Sequence, residues 1–476
     1  MGEFKFRLPA SWSLERQQAS AIHTVGIDGI PWPCKVLTDG DILTVLRNRN
    51  ESGKTYIPWL CDTRGELLIS TATLLERASP YSLLTELARG TLNRLRNQLS
   101  IWQEGGLVIP PEIFEKVSSS ATLLGNSIMN PIPVEQDSLA KLSLDCSIDA
   151  IFDISDEFGR QVTQFRKSSE DMRPFWLANT VSPNRAVQEG IEVEGFDLVR
   201  MSFDQLASTS DADLKKRVIA GPFLDASVNG MSEALIDAGN FAARKKILVD
   251  SCRSHMKQLS SSMSLLHVIS GLNGMGHRHL SYPNQLELAM TLLNAVSDSN
   301  VEVPTMASFD FPWAERLASA VGGSHPLQIA DSLLRQGAQI SYLGIEVNLG
   351  YWPNGSILRD PLQWIDMLDL WSQLGIPLII LLRLPTWAPS GNNEGGELPP
   401  SASSDKKVNT FDLKSDAVRI KYLQTILPML VARPAVQGII WSQWLDGDDT
   451  RYPHGGLVSD KDIRKHVYDM LTATQR

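Results

Sequence analysis

From about Pro174 to the C-terminus, short apolar runs alternate with amphipathic stretches, and no other feature restricts the fold so strongly. Eight runs read as buried strands: FWLANTV, FDLVRMSF, VIAGPFLD, SLLHVISGLN, PTMASFDF, ISYLGIEVNL, PLIILLRLP and VQGIIWSQW. Helical periodicity separates most of them, at 241–259, 283–297, 326–336 and 361–374. Continuous apolar strands joined by helices are the mark of a parallel sheet covered on both faces. Eight such repeats predict an α/β fold, a (β/α)8 TIM barrel over residues 171–476.

Upstream the pattern differs. Residues 1–78 read as a β-rich module, sandwich or jelly-roll-like, with a hairpin turn at Thr38-Asp39-Gly40-Asp41. Trp12, Trp32 and Trp59 read as its core, with a sugar-stacking face as the alternative. Residues 79–170 turn helical, opening at Ser79-Pro80 with leucines at helical spacing from Leu83 to Leu99. This section reads as a helical spacer packed on the barrel. A net charge of −10 without a basic run argues against a nucleic-acid partner. Four scattered cysteines form no metal or disulfide framework. With no signal peptide and no long apolar run, the expectation is a cytoplasmic protein without a membrane partner.

In a barrel of this type, ligand-binding groups sit at the C-terminal ends of the strands. The last predicted strand ends in Trp441, Gln443, Trp444 and Asp446. Indole and carboxylate side by side suit a sugar, one stacking on C–H faces and the other accepting from hydroxyls.

These residues resemble glycoside hydrolase family 10, the retaining β-1,4-xylanases. The family's closing Gly-Ile-x-x-Trp, Asp and Gly-Leu look like Gly438-Ile439-Ile440-Trp441, Asp446 and Gly456-Leu457. Its sixth-strand Ile-Gly-x-Gln-x-His is similar to Leu343-Gly344-Ile345-Glu346-Val347-Asn348. Ala220-Gly221-Pro222-Phe223-Leu224 stands where the family has its third strand. The resemblance implies a barrel and a β-linked glycan such as xylan. It does not carry over the family's two catalytic glutamates: Gly271 stands at the fourth-strand position and Leu382 at the seventh. A retaining glycosidase needs both carboxyl groups.

The carboxylates that remain at predicted strand ends make Glu346, Asp310 and Asp446 the catalytic candidates. Glu346 stands in an apolar strand, so it must pair, bind or hold a proton; a structural ion pair with Arg383 is the competing reading. For Asp310 the competing reading is a helix cap before Pro312, and for Asp446 a solvated loop. Asn179, Asp225, Asn273, Asn348, Arg383, Trp387, Trp441, Gln443 and Trp444 are candidate substrate contacts, and Arg200 is a further polar strand end. His277-Arg278-His279 lacks the further ligands a metal needs, and no motif implies a cofactor. A different barrel chemistry using His277 and Asp225, with a metal, is a third reading. The segment 389–408, polar and rich in Gly, Pro and Ser, reads as a loop over the active face. Two functions stay open: a glycoside hydrolase-like enzyme, or a catalytically inactive pseudoenzyme serving as a glycan-binding or protein-interaction scaffold.

Overall fold

The computed structural model describes residues 2–10, 12, 16–168, 175–181, 195–209, 217–226, 238–257, 263–274, 280–299, 302–318, 324–386, 416–446, 448–449, 451–457 and 465–473. The predicted contact Trp387, the histidines His277 and His279 weighed as metal ligands, and the segment 389–408 lie outside them.

Eight short strands open the chain: β1 (Gly2–Arg7), β2 (His23–Val25), β3 (Pro31–Trp32), β4 (Cys34–Asp39), β5 (Ile42–Arg47), β6 (Lys54–Cys61), β7 (Gly65–Ser70) and β8 (Tyr81–Ser82). They form two four-stranded sheets, β4-β5-β1-β8 and β3-β2-β6-β7. In β1 and β5 every second residue is buried, which places Phe4, Phe6, Leu43 and Val45 in the core. Three helices follow, Leu83–Glu104, Pro111–Met129 and Pro133–Ser168. The first presses on the sheet at Gly90, where a Cβ would lie 2.3 Å from the Thr71 backbone carbon. Any larger residue there would force the two elements apart.

The barrel closes from β9 (Trp176–Thr180), β10 (Leu198–Met201), β11 (Arg217–Ala220), β13 (Met263–Ser270), β14 (Thr305–Asp310), β15 (Tyr342–Asn348), β16 (Leu378–Arg383) and β17 (Val436–Trp441). All neighbours pair in parallel, with β17 on β9 and β11 on β13 completing the ring. The expected (β/α)8 barrel is present, with helices such as Phe241–Met256, Tyr282–Ser297, Pro326–Arg335 and Pro361–Ser372 between the strands. One run departs from expectation. The third strand stops at Ala220 and resumes as a two-residue β12 (Leu224–Asp225) beside β13. Pro222 has no N–H for the ladder, so pairing cannot run through it.

Alternation sorts each strand into two faces. Ala178, Leu198, Ile219, Leu265, Met306, Leu381 and Ile440 form the apolar plug inside the barrel. Their sequence neighbours pack outward against the helices. The N-terminal module and the spacer dock on the segment after β15. Leu68 N donates to Leu358 O at 2.8 Å, and Gln363 Nε2 donates to Leu68 O at 2.7 Å. Arg94 forms a two-pronged ion pair with Asp360 at 3.0 and 2.8 Å. No described helix is long and apolar enough to cross a membrane.

Candidate active site

Above the apolar plug, the inward positions of β13, β14 and β15 become polar. Ser308 and Asp310 follow Met306 on the inner face of β14, and Glu346 follows Gly344 on that of β15. The ladder sets Asp310 directly beside Glu346. The two carboxyl groups come together because register aligns them, though 36 positions separate them in the chain.

Glu346 is held through one oxygen. Its Oε1 accepts from Ser270 Oγ at 2.7 Å, from the Gly271 amide at 2.7 Å and from Ser308 Oγ. Ser308 Oγ also lies 2.8 Å from His267 Nε2. Among the described residues, Oε2 accepts no hydrogen bond. Gly271 adopts φ 58°, in the left-handed region, which turns its N–H toward the carboxylate.

Asp310 is 5% exposed. Its Oδ1 accepts from the Phe311 amide at 2.8 Å and from Asn348 Nδ2 at 3.2 Å. Asn273 fixes its backbone as a neighbouring strand would, Nδ2 donating to Asp310 O at 2.7 Å and Oδ1 accepting from Asp310 N at 2.8 Å. Burial, and then the neighbouring charge of Glu346, push the Asp310 carboxyl up to about 7. The Asp310 side chain thus caps the turn at Phe311 and not a regular helix, since the next helical residues are Glu315–Ala318.

The expected Glu346–Arg383 ion pair is not formed. Glu346 pairs in register with Leu381, while Arg383 stands one level higher, opposite Asn348. Arg383 Nη1 donates to Asn348 Oδ1 at 3.0 Å and Nη2 to Ser442 O at 3.1 Å. Its guanidinium lies over the Tyr452 ring, 4.1 Å from the centroid, and 3.9 Å from Asp449. The cation facing Glu346 electrostatically is Arg200. Burial pulls its guanidinium below the ordinary value, against the opposing pull of Glu346 and Asp225.

Five predicted residues therefore converge: Glu346, Asp310, Asn273, Asn348 and Arg383, with Asp225 in the same field. Others are turned away. Asn179 and Trp441 pair in register, next to the inward Ala178 and Ile440, so both face the helices. Trp441 Nε1 donates to Gly455 O at 3.1 Å. Trp444 is buried edge-on to Phe196, and Gln443 is buried with its amide on Leu445 O and Asp446 O. Trp441 and Trp444 are spent on packing, and a strand-end aromatic is as useful for sealing the barrel against its helices; Gln443 Oε1 has no hydrogen-bond partner among the described residues. Asp446 braces its own loop by accepting from the Gly456 amide at 3.1 Å. Leu382, where the family resemblance calls for a carboxylate, packs outward in the core.

Sequence reasoning missed Ser270 and Ser308, the hydroxyls that grip Glu346. Ser308 had a signal: it lies two residues before Asp310 and so shares its face. Tyr452, over which Arg383 lies, had none. Among the described residues, no group of three His, Cys, Asp or Glu side chains is placed to hold a metal ion.

No family model matches the chain, and no curated protein matches it. Solved structures do superpose on it. The chain is similar to family 10 xylanases. A GH10 endoxylanase retrieved from sugarcane soil metagenome shares 10% identity at a TM-score of 0.43, over 66% of this chain and 99% of its own. The native xylanase 10B from Thermotoga maritima shares 9% at 0.43, over 63% and 95%. Xylanase A of P fluorescens subsp. cellulosa, solved in complex with xylopentaose, shares 11% at 0.42, over 64% and 99%. At such distances no residue role passes from those proteins to this chain. The barrel rests on its own closed strand order.

Proposed function

We propose that this chain is a carbohydrate-active protein whose barrel mouth binds and hydrolyses a β-linked oligosaccharide or polysaccharide such as xylan. The observation that carries this reading is the Asp310–Glu346 pair. Two carboxyl groups in adjacent register stand in different surroundings: burial and the Glu346 charge raise the Asp310 carboxyl to about 7, while donors hold Glu346 Oε1 and leave Oε2 without one among the described residues. Glycoside cleavage needs that division between an acid and a base or nucleophile. Arg200, Arg383, Asn348 and Asp225 supply donors and acceptors for sugar hydroxyls.

Glu346→Gln is the direct test, because Gln keeps an acceptor for Ser270, Gly271 and Ser308. Release of reducing sugar from xylo-oligosaccharides is expected to fall roughly 10²–10⁴-fold in kcat, with melting temperature nearly unchanged. A second reading, an inactive scaffold that binds glycan or protein, is favoured by one observation: Gly271 and Leu382 fill the positions where the family resemblance calls for glutamates. Under it, the unmodified protein turns over none of a broad panel of xylo-, cello- and manno-oligosaccharides, and Glu346→Gln changes stability alone.

A further inference from the structure

A cavity of about 130 Å³ lies between the N-terminal module and the barrel, and its lining includes none of the residues that converge at the barrel mouth. His23 and Tyr56 line it from the module, and Trp313, His325, Arg359 and Gln363 from the barrel. The two histidines present opposite faces. His23, 2% exposed, has Nδ1 2.8 Å from the Ala21 carbonyl. A carbonyl only accepts, so Nδ1 carries the hydrogen. Burial, then the Arg359 charge, lower the His23 pKa to about 3, so the ring is neutral and Nε2 is an acceptor. His325 is reversed. Its Nδ1 accepts from the Leu327 amide at 3.2 Å, and burial lowers its pKa to about 4, so Nε2 carries the hydrogen and donates. Neither Nε2 has a partner among the described residues.

The walls are aromatic and apolar. The His23 and Tyr56 rings stack 5.1 Å apart at 4°. Arg359 sits over both Tyr56 and Trp313, with its Nη1 committed to Gln363 at 3.0 Å. Met367 and Leu370 complete the mouth beside Asp366. The cavity's cation is already matched: Arg359 Nη2 lies 3.5 Å from Glu315 Oε1, and Asp366 adds a carboxylate to the lining, so an anion is disfavoured. A hydroxyl both donates and accepts, and a ring of C–H groups packs on aromatic walls.

We infer that this cavity is a second binding site, taking a small neutral polyhydroxylated ligand of the size of one sugar or polyol. One hydroxyl donates to His23 Nε2, and another accepts from His325 Nε2. The inference stands apart from the chemistry of the barrel mouth.

The test uses the full-length protein with D-xylose, D-glucose and glycerol as separate probes, followed by tryptophan fluorescence and ligand-observed NMR. Saturable binding of at least one probe is expected. It should weaken at least tenfold in His23→Phe, which removes the acceptor, and in Leu370→Trp, which fills the entrance from an exposed position. Absence of binding by every probe, with only ordered water filling the cavity in a crystal, would overturn it. So would binding that Leu370→Trp leaves intact.

Discussion

Replacing Asp360 by Ala is expected to cost about 3–5 kcal/mol of stability, the range for breaking a buried ion pair by deleting one partner. Asp360 has no exposed side-chain surface. Besides Arg94, it binds the Gln363 amide at 3.2 Å as the cap of the helix Pro361–Ser372 and accepts from Gln363 Nε2 at 2.6 Å. Burial alone would raise its pKa, but Arg94 and these donors outweigh burial and hold it below the ordinary carboxylate value. The substitution leaves the Arg94 charge buried without its partner and removes the cap, at the seam where spacer and barrel meet. Urea unfolding at pH 7 measures the loss. A change below about 1 kcal/mol would mean that the pair only offsets its own desolvation. The linkage sign follows from the depressed pKa: stability from Asp360 is present above the unfolded value near 4 and is lost as pH falls below it.

Asp310→Asn is expected to act in the opposite sense. A raised carboxyl makes the folded state bind more protons than the unfolded chain between about pH 4 and 7. Stability is therefore fully present below pH 4 and falls as pH rises through 7, by on the order of 3–4 kcal/mol. Asn keeps an oxygen for the Phe311 amide and Asn348 and carries no charge to bury beside Glu346. The variant should be more stable than the parent at pH 8 and nearly equal to it at pH 4, and under the proposed function it should lose hydrolysis. Unfolding curves at the two pH values measure this. A parent whose stability does not decline between pH 4 and 8 would show that Asp310 holds no such proton.

The glutamine and asparagine variants together separate the two carboxylates. Glu346→Gln tests the lone pair, and Asp310→Asn tests the proton. If they are one catalytic unit, each alone should cost nearly as much activity as both together.

The eight barrel strands were legible because a strand buried on both faces must be apolar along most of its length, as at 378–382, and helices between strands must be amphipathic. The convergence of Asp310 with Glu346 was legible only as a list of strand-end carboxylates. Adjacency on the list does not fix register, and register alone puts Asp310 beside Glu346 and lifts Arg383 to the level of Asn348. Trp441 shows the same limit from the other side. Its position at the end of the last strand is plain in the sequence, but a single step of alternation turns it from the mouth to the helices.

The sequence by itself determined the barrel, since it follows from residue type and periodicity along the chain. Tertiary structure alone decided which polar groups meet: Glu346 with Ser270, Gly271 and Ser308, Arg94 with Asp360, and His23 with His325 around one cavity. Those contacts join residues dozens to hundreds of positions apart. Their energies depend on burial and on distances of a few ångströms, which local sequence does not encode.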